Sequence, residues 1–238
     1  MSRPRLLDLF CGAGGAAMGY HRAGFDVVGV DIKPQPHYPF EFVQADALAF
    51  MDEGGWRGFD AIHASPPCQG YSPHVSSSSS RWAGTLGKDE ARLIWAMRVR
   101  LHGLRWENRL ATIPYVIENV VGARHELRGP TLLCGTMFGL PIPRHRLFET
   151  SWRIDPFSVP RHRSCTGVAR DYALRRGWDP RDMTVTGKGR NAGTKERWAE
   201  VMGWPDYAGT QHGLREAIPP AYTEYIGRAL LQAVSAAA

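Results

Sequence analysis

The chain reads as an α/β protein built on a doubly wound, mostly parallel sheet, and three observations predict this. Several runs of strand length are apolar almost throughout, as strands covered on both faces must be. Stretches of helical spacing separate them. A glycine-rich turn follows the first run directly, the order of strand, turn and helix that opens a βαβ unit. At 238 residues the chain has room for one large domain with a small appendage.

Taken in order, "PRLLDLF" is a buried strand, and "CGAGGAAMGYHRAG" supplies the turn and the start of a helix. "FDVVGVDI" is a second strand ending at Asp31, and "FEFVQADALAF" holds a short third that ends near Asp46. "FDAIHAS" is the fourth and runs into Pro66-Pro67-Cys68. Ala91 to Trp106, "ARLIWAMRVRLHGLRW", alternates apolar and arginine positions at helical spacing. "PYVIENV" is a fifth strand ending at Glu118-Asn119, and "RHRLFETSW" a sixth. Gly12, Asp31, Asp46, Cys68 and Glu118 therefore all fall at strand ends. In open α/β sheets the ligand lies in the crevice beyond the carboxyl ends of the strands, so these five are expected to converge.

Composition sets the outer bounds. With 43% hydrophobic and 22% charged residues the chain is of globular type. No apolar run approaches the roughly 18 residues a membrane span needs, and "MSRPRLLDLF" lacks the apolar segment of a signal peptide. Cys11, Cys68, Cys134 and Cys165 lie far apart, with no C-x-x-C pair and no metal-ligand spacing, so they read as reduced thiols of a cytoplasmic, metal-free protein. The net charge of +6 is unevenly placed: residues 151–215 hold twelve Lys/Arg against seven Asp/Glu, while the rest is close to neutral. A patch facing a polyanion and a solvated arginine-rich loop fit this equally well.

Gly12-x-Gly14-x-x-Ala17, with Gly15 inside it, matches a nucleoside-binding turn, and Asp31 stands nineteen residues after Gly12, where an acid meets ribose hydroxyls. Asp46 suits an adenine amino group, because a carboxylate accepts hydrogen bonds, and Phe10 suits the adenine face. Cys11, Ile32, Ala47 and Pro67 complete the expected cofactor contacts, with Cys11 a small packed residue rather than a second nucleophile. By itself this turn serves a nicotinamide oxidoreductase as well as any other nucleoside binder. The stretch "SPPCQ" is harder to satisfy that way. Pro67 ends sheet pairing and stiffens the backbone before Cys68, a mount that a core cysteine does not need and a nucleophile does.

"DLFCGAGG", "SPPCQ" and "IENV", in that order and each at a strand end, resemble the cytosine-5 DNA methyltransferase family; "RHRLFE" is similar to its paired-arginine motif, and "LLCGTMFGLPIP" to the segment leading into it. The resemblance covers roughly residues 5–150 and resumes weakly at "AIPPAYTEYIGRAL". It implies a Rossmann-like methyltransferase domain that binds S-adenosylmethionine, leaving S-adenosylhomocysteine, and transfers a methyl group to carbon 5 of a cytosine flipped out of double-stranded DNA. It implies Cys68 as the nucleophile that adds to carbon 6, Glu118 as the group managing N3 and the 4-amino group, Arg146 on the base O2, and Arg144 in the pocket or on a phosphate. Gln69 and Ser72 are expected to face nucleic acid, and the loop from Gly70 to about Lys88, with its serine run, to act as a lid.

Three departures from the family stand out. Ile142-Pro143 opens the arginine motif where the family has a glutamine. Ile218-Pro219-Pro220 replaces a glycine-asparagine pair, leaving Pro220, Ala221 and Tyr222 as candidate cofactor contacts. The recognition region is reduced to a basic stretch of about sixty residues, in which "TGKGRNAG" offers Lys188 and Arg190 to phosphates and a short helix starts at Thr194. The division expected is 1–150 catalytic and cofactor-binding, 151–213 recognition, and 214–238 a C-terminal helix returning to the catalytic domain. A cytoplasmic monomer of a bacterium or a phage-infected host is expected, in a restriction-modification setting. The alternatives are a tRNA cytosine-5 methyltransferase of the same architecture, an NAD-dependent oxidoreductase, and an inactive DNA-binding protein.

Overall fold

The computed structural model describes residues 2–71, 86–107, 113–162, 165–179 and 193–237. Among them a seven-stranded sheet has the order β3-β2-β1-β4-β5-β7-β6. β1 (Arg5–Leu9), β2 (Asp26–Asp31), β3 (Glu41–Gln44), β4 (Ala61–Ala64) and β5 (Tyr115–Asn119) run parallel. β7 (Arg146–Thr150) is antiparallel to both neighbours, β5 and β6 (Thr131–Leu133). The doubly wound, mostly parallel sheet read from the sequence is therefore present. Two details were not legible: the extra strand β6, only three residues long, and the reversed direction of the strand holding "RLFET".

Each central strand alternates its burial between two faces, as the two-residue period of a strand requires. Leu7, Leu9, Ile62, Tyr115 and Ile117 pack beneath Ile94, Met97 and Leu101 of α3 (Leu86–Glu107) and Met51 of α2 (Ala47–Asp52). Leu6, Val27, Ala61 and Val116 pack on the other face against Tyr20 of α1 (Gly15–Ala23) and Tyr222, Ile226 and Leu230 of α7 (Pro220–Ala237). α3 is fastened by a buried bidentate pair, Arg98 Nε to Glu149 Oε1 at 3.0 Å and Nη2 to Oε2 at 2.8 Å.

α1 and α7 approach so closely that only glycine fits at two positions one helical turn apart. A Cβ on Gly15 would lie 2.3 Å from the Ile218 carbonyl oxygen, and one on Gly19 would lie 2.0 Å from Thr223 Oγ1. Thr223 Oγ1 donates to the Ala16 carbonyl at 2.9 Å across the same seam. Pro220 opens α7, where a missing N–H costs nothing.

A second, smaller core joins α4 (Val168–Arg175), α5 (Lys195–Val201) and α6 (Gln211–Glu216) around the fully buried Trp198. The helix expected from Thr194 is α5, with Thr194 Oγ1 accepting from Arg197 N at 3.3 Å. Ile142 belongs to this core, so the residue standing in place of a glutamine does apolar packing. The line drawn between 213 and 214 falls inside α6, whose Leu214 is buried in the same core.

Candidate functional site

The reversal of β7 builds the site. Because β7 runs against β5, its first residue arrives at the carboxyl end of β5: Glu118 is in register with Phe148 and Asn119 with Leu147. Arg146, two residues before Phe148, thus shares a face with Glu118, and its Nε lies 3.1 Å from Glu118 Oε1. Arg146 Nη1 also donates to the His145 carbonyl at 2.8 Å. A parallel strand there would have delivered these arginines to the opposite edge.

Cys68 lies just past the neighbouring strand β4, half-buried, after the two prolines. Asn119 Nδ2 donates to the Pro66 carbonyl at 3.0 Å, and Tyr71 N donates to the Cys68 carbonyl at 3.1 Å as the chain enters the turn Gln69–Tyr71. The backbone carrying the thiol is therefore held on both sides. Asn119, read from the sequence only as the neighbour of Glu118, is one of the two holders.

Arg144 precedes β7 rather than lying in it, and it is buried rather than on a solvated strand face. Its Nη2 donates to the Arg215 carbonyl, and Tyr222 Oη donates to the Arg144 carbonyl. Burial and the Arg146 charge disfavour its charged form, while Tyr222, Glu118 and Cys68 oppose them. Tyr222 is fully buried against Phe138 and Phe148, where its hydroxyl fixes Arg144. Pro220 is likewise buried, at the seam with α1.

Behind Glu118 runs a buried polar row that the sequence reading missed. Tyr20 Oη lies 2.9 Å from His63 Nδ1, His63 Nε2 lies 2.8 Å from Ser65 Oγ, and Ser65 bonds Glu118. Its signal was present in "AIHAS": His63 and Ser65 sit two apart on an apolar strand, hence on one face. Burial pushes His63 down to about 3, so it is neutral, with one nitrogen a donor and the other an acceptor. Such a row can offer Glu118 a donor or an acceptor, because each of its hydroxyls can be either, while Glu118 Oε1 is buried with no hydrogen-bond partner among the described residues. Burial raises the Glu118 carboxyl above the usual carboxylate range, against the opposing pull of Arg146, Ser65 and Arg144. Asp8, in register with His63 on the next strand, is fully buried with Tyr38 Oη donating to it at 3.3 Å, and burial pushes it up to about 8.

On the other side of the strand ends, Phe10 takes a left-handed backbone (φ 58°) and Gly12 another (φ 48°). For a phenylalanine this is a strained conformation of the kind that collects at ligand sites. Gly12 N donates to Asp31 Oδ2 at 3.0 Å, and Lys33 N donates to Oδ1 at 2.9 Å. Asp31 thus secures the turn while keeping lone pairs for a ligand. Space beside Gly12 is open, and Ile32 is exposed, an unusual place for a large apolar side chain. Asp46 Oδ1 caps α2, accepting from Leu48 N and Ala49 N, a role the strand-end reading did not foresee. Ala47 is buried behind it, Pro67 is half-buried, and Gly14 (φ 84°) stands against Tyr38 and Pro39. The small size of Gly15 is required by Ile218 rather than by open space. Burial raises the Cys11 thiol far above its usual range, in keeping with a packed residue rather than a nucleophile.

Gln69 is exposed beside Cys68. Ser72, Lys188, Arg190, residues 72–85 of the lid expected between Gly70 and Lys88, and most of "TGKGRNAG" lie outside the described residues. One reading of the cysteines is corrected in space: Cys134 and Cys165, thirty-one residues apart in the chain, have their sulfurs 3.5 Å apart. No helix among the described residues is long and apolar enough to cross a membrane.

Residues 4–96 match the family described as C-5 cytosine-specific DNA methylase. Over 87 residues the chain is 38% identical to the type II methyltransferase M.XorII of Xanthomonas oryzae pv. oryzae, covering 30% of this chain and 20% of that protein. Over 189 residues it is 28% identical to the type II methyltransferase M.AgeI of Thalassovita gelatinovora, covering 64% and 41%. The matches thus span between about a fifth and two fifths of these relatives' own length. Among solved structures, S. pombe Dnmt2 methyltransferase superposes with a TM-score of 0.62 at 17% identity, and the Entamoeba histolytica methyltransferase EhMeth with 0.59 at 13%. Each alignment covers 98% of this chain and 99% of the other, a likeness of fold.

Proposed function

We propose that the chain is a member of the C-5 cytosine-specific DNA methylase family, which its residues 4–96 match, and that it methylates carbon 5 of cytosine in double-stranded DNA. The observation that carries the reading is the meeting of Cys68, Glu118, Arg144 and Arg146 at one strand edge, from segments up to seventy-eight residues apart.

In this reading the Cys68 thiolate adds to carbon 6 of an extruded cytosine. The electron pair of the 5,6 double bond moves onto the ring, making carbon 5 nucleophilic. Glu118, biased toward its protonated form, donates to N3 as that charge develops. Ser65 and His63 follow its change of protonation by reversing their donors. Arg146 stays against Glu118 and presents its remaining donors to the base. Once carbon 5 carries the methyl group, its proton leaves to water, the pair returns to the 5,6 bond, the thiolate is expelled and N3 gives its proton back to Glu118.

Phe10, Asp31, Ile32 and Asp46 around the open side of Gly12 are the residues that would hold S-adenosylmethionine, which supplies the electrophilic methyl group. A strained aromatic, an exposed aliphatic side chain and two carboxylates fit an adenosine better than they fit water. Exposed Arg153, Arg161, Arg170 and Arg175, together with Lys188 and Arg190 of the same basic segment, suit a phosphate backbone. Residues 151–213 are accordingly assigned to recognition and 1–150 to catalysis.

Nucleoside mass spectrometry of DNA and RNA from cells expressing the chain, beside a Cys68→Ala control, tests this. New 5-methylcytosine in DNA that is lost in the control is the expected result, with turnover of the variant down by at least roughly a thousandfold in vitro. The mark in RNA alone would transfer the chemistry to RNA, and no mark in either would remove the activity.

A further inference from the structure

Beyond the reaction site, Cys134, His145, His162 and Cys165 bring one donor atom each to within 4.8 Å of one another. They come from three separate segments. Cys134 directly follows β6, His145 directly precedes β7, and His162 and Cys165 lie beyond β7 on the way to α4. We infer that these four side chains form a structural zinc site.

The distances support a single tetrahedral ion. Zinc–sulfur bonds of about 2.3 Å and zinc–nitrogen bonds of about 2.0–2.1 Å place tetrahedral donors about 3.7 Å apart for two sulfurs, 3.3 Å for two nitrogens and 3.5 Å for a mixed pair. Here the two sulfurs are 3.5 Å apart and the two Nε2 atoms 3.2 Å. His162 Nε2 lies 3.2 Å, and His145 Nε2 3.6 Å, from Cys165 Sγ. Each agrees to within a few tenths of an ångström. A disulfide does not fit, because its sulfurs would be bonded at about 2.05 Å. The donor set selects the metal: two thiolates and two imidazoles in tetrahedral array favour zinc over magnesium or calcium, which take oxygen. Four protein ligands leave no open position, so the ion would hold structure rather than react. A hydroxyl is already placed behind the buried ligand, Thr136 Oγ1 donating to Cys134 Sγ at 3.3 Å, as the outer partners of metal thiolates commonly are.

Binding would release the two thiol protons and close the three segments onto one point. Its place gives it a consequence for the neighbouring site. His145 is the residue between Arg144 and Arg146, and its carbonyl accepts from Arg146 Nη1. Cys165 stands three residues before α4. The ion would therefore tie the arginine pair and the entry to the basic segment to the same post.

The scattered spacing explains why the sequence hid the site. Cys134 and His145 are eleven residues apart, and only "HRSC", His162 to Cys165, has ligand-like spacing.

The test is metal content, which does not depend on the proposed activity. The full chain, purified without chelators, should carry about one zinc per molecule by inductively coupled plasma mass spectrometry. Exchange into cobalt should give the visible bands of a tetrahedral site with sulfur-to-metal charge transfer in the near ultraviolet. His162→Ala, at an exposed ligand, should lose the metal while keeping the wild-type circular dichroism in its folded fraction. His162→Cys should recover the metal, with a cobalt spectrum shifted toward three sulfurs. A folded wild type with substoichiometric zinc and no cobalt spectrum would overturn the inference. So would a Cys134–Cys165 disulfide in the freshly prepared chain, found by mass spectrometry after alkylation of free thiols.

Discussion

The strand-end region and the basic segment after β7 are built by different means. In the first, the side chains proposed to react sit at or just beyond the ends of strands whose neighbours fix their height and direction. Glu118 is set by register with Phe148, and Cys68 by the prolines and the Asn119 bond to Pro66. In the second, three helices of eight residues or fewer share one small core around Trp198 and rely on threonine caps at Thr194 and Thr210. A sheet supplies position at almost no cost in local sequence. Short helices must be held by caps, packing and, as inferred above, an ion. The comparison teaches where substitutions should act: on turnover in the first region, on stability or substrate engagement in the second.

Glu118→Gln puts the sharpest strain on that view. Turnover should fall by roughly 10²–10³-fold, the range for losing a group that manages a proton, while the thermal midpoint stays within a few degrees. A large drop in midpoint with turnover preserved would turn Glu118 into a structural partner of Arg146 and break the contrast. Gly19→Ala comes next. Its new Cβ would meet Thr223 Oγ1 and the Pro220 carbonyl at about 2 Å, so thermal or denaturant unfolding should show a loss of about 3 kcal/mol. An unchanged midpoint would mean that the seam between α1 and α7 gives way easily.

A pH titration of stability sharpens the picture of the polar row. Burial raises Asp8 from 3.8 to about 8, so the folded state holds a proton that the unfolded chain releases, and stability falls as pH rises across that window. Burial lowers His63 from 6.5 to about 3, which acts in the opposite sense: stability falls as pH drops below 6.5. The two slopes oppose each other between about 4 and 6.5. Between 6.5 and 8 Asp8 acts alone, at up to about 1.4 kcal/mol per pH unit. Asp8→Asn should flatten that upper window in denaturant melts, and a slope that survives the substitution would assign it elsewhere. Smallest is Thr194→Ala, which removes the cap of α5 and should cost about 1 kcal/mol. Turnover on saturating substrate should not change. A loss of turnover there would show that the two regions are coupled more tightly than their separate cores suggest.

Much of the strand-end region was legible because its signals are local. Apolar runs mark strands, and Pro66-Pro67-Cys68 and Glu118-Asn119 mark where two of them stop. What stayed hidden is long-range. Nothing in "RHRLFET" says that its strand runs against its neighbour, yet that reversal is what brings Arg146 to Glu118. Tyr222 reads as a cofactor neighbour from its position near the glycine-asparagine site, and only packing shows its hydroxyl on Arg144. Gly15 looks like part of a nucleoside turn, but its missing side chain is required by Ile218. Asp46 is a helix cap as well as a strand-end acid, because the third strand stops two residues earlier than it was read.

The seam between α1 and α7 also bears on how the protein is made. α1 is complete by Ala23, and the surface that covers Gly15 and Gly19 arrives about two hundred residues later. At ribosomal speeds of roughly 5–20 residues per second, that interval is on the order of 10–40 s. Through it the first βα unit has one face of its helix bare, with Tyr20 and Ala16 still awaiting Tyr222 and Ile226. The first helix of this fold is thus among the last to be finished.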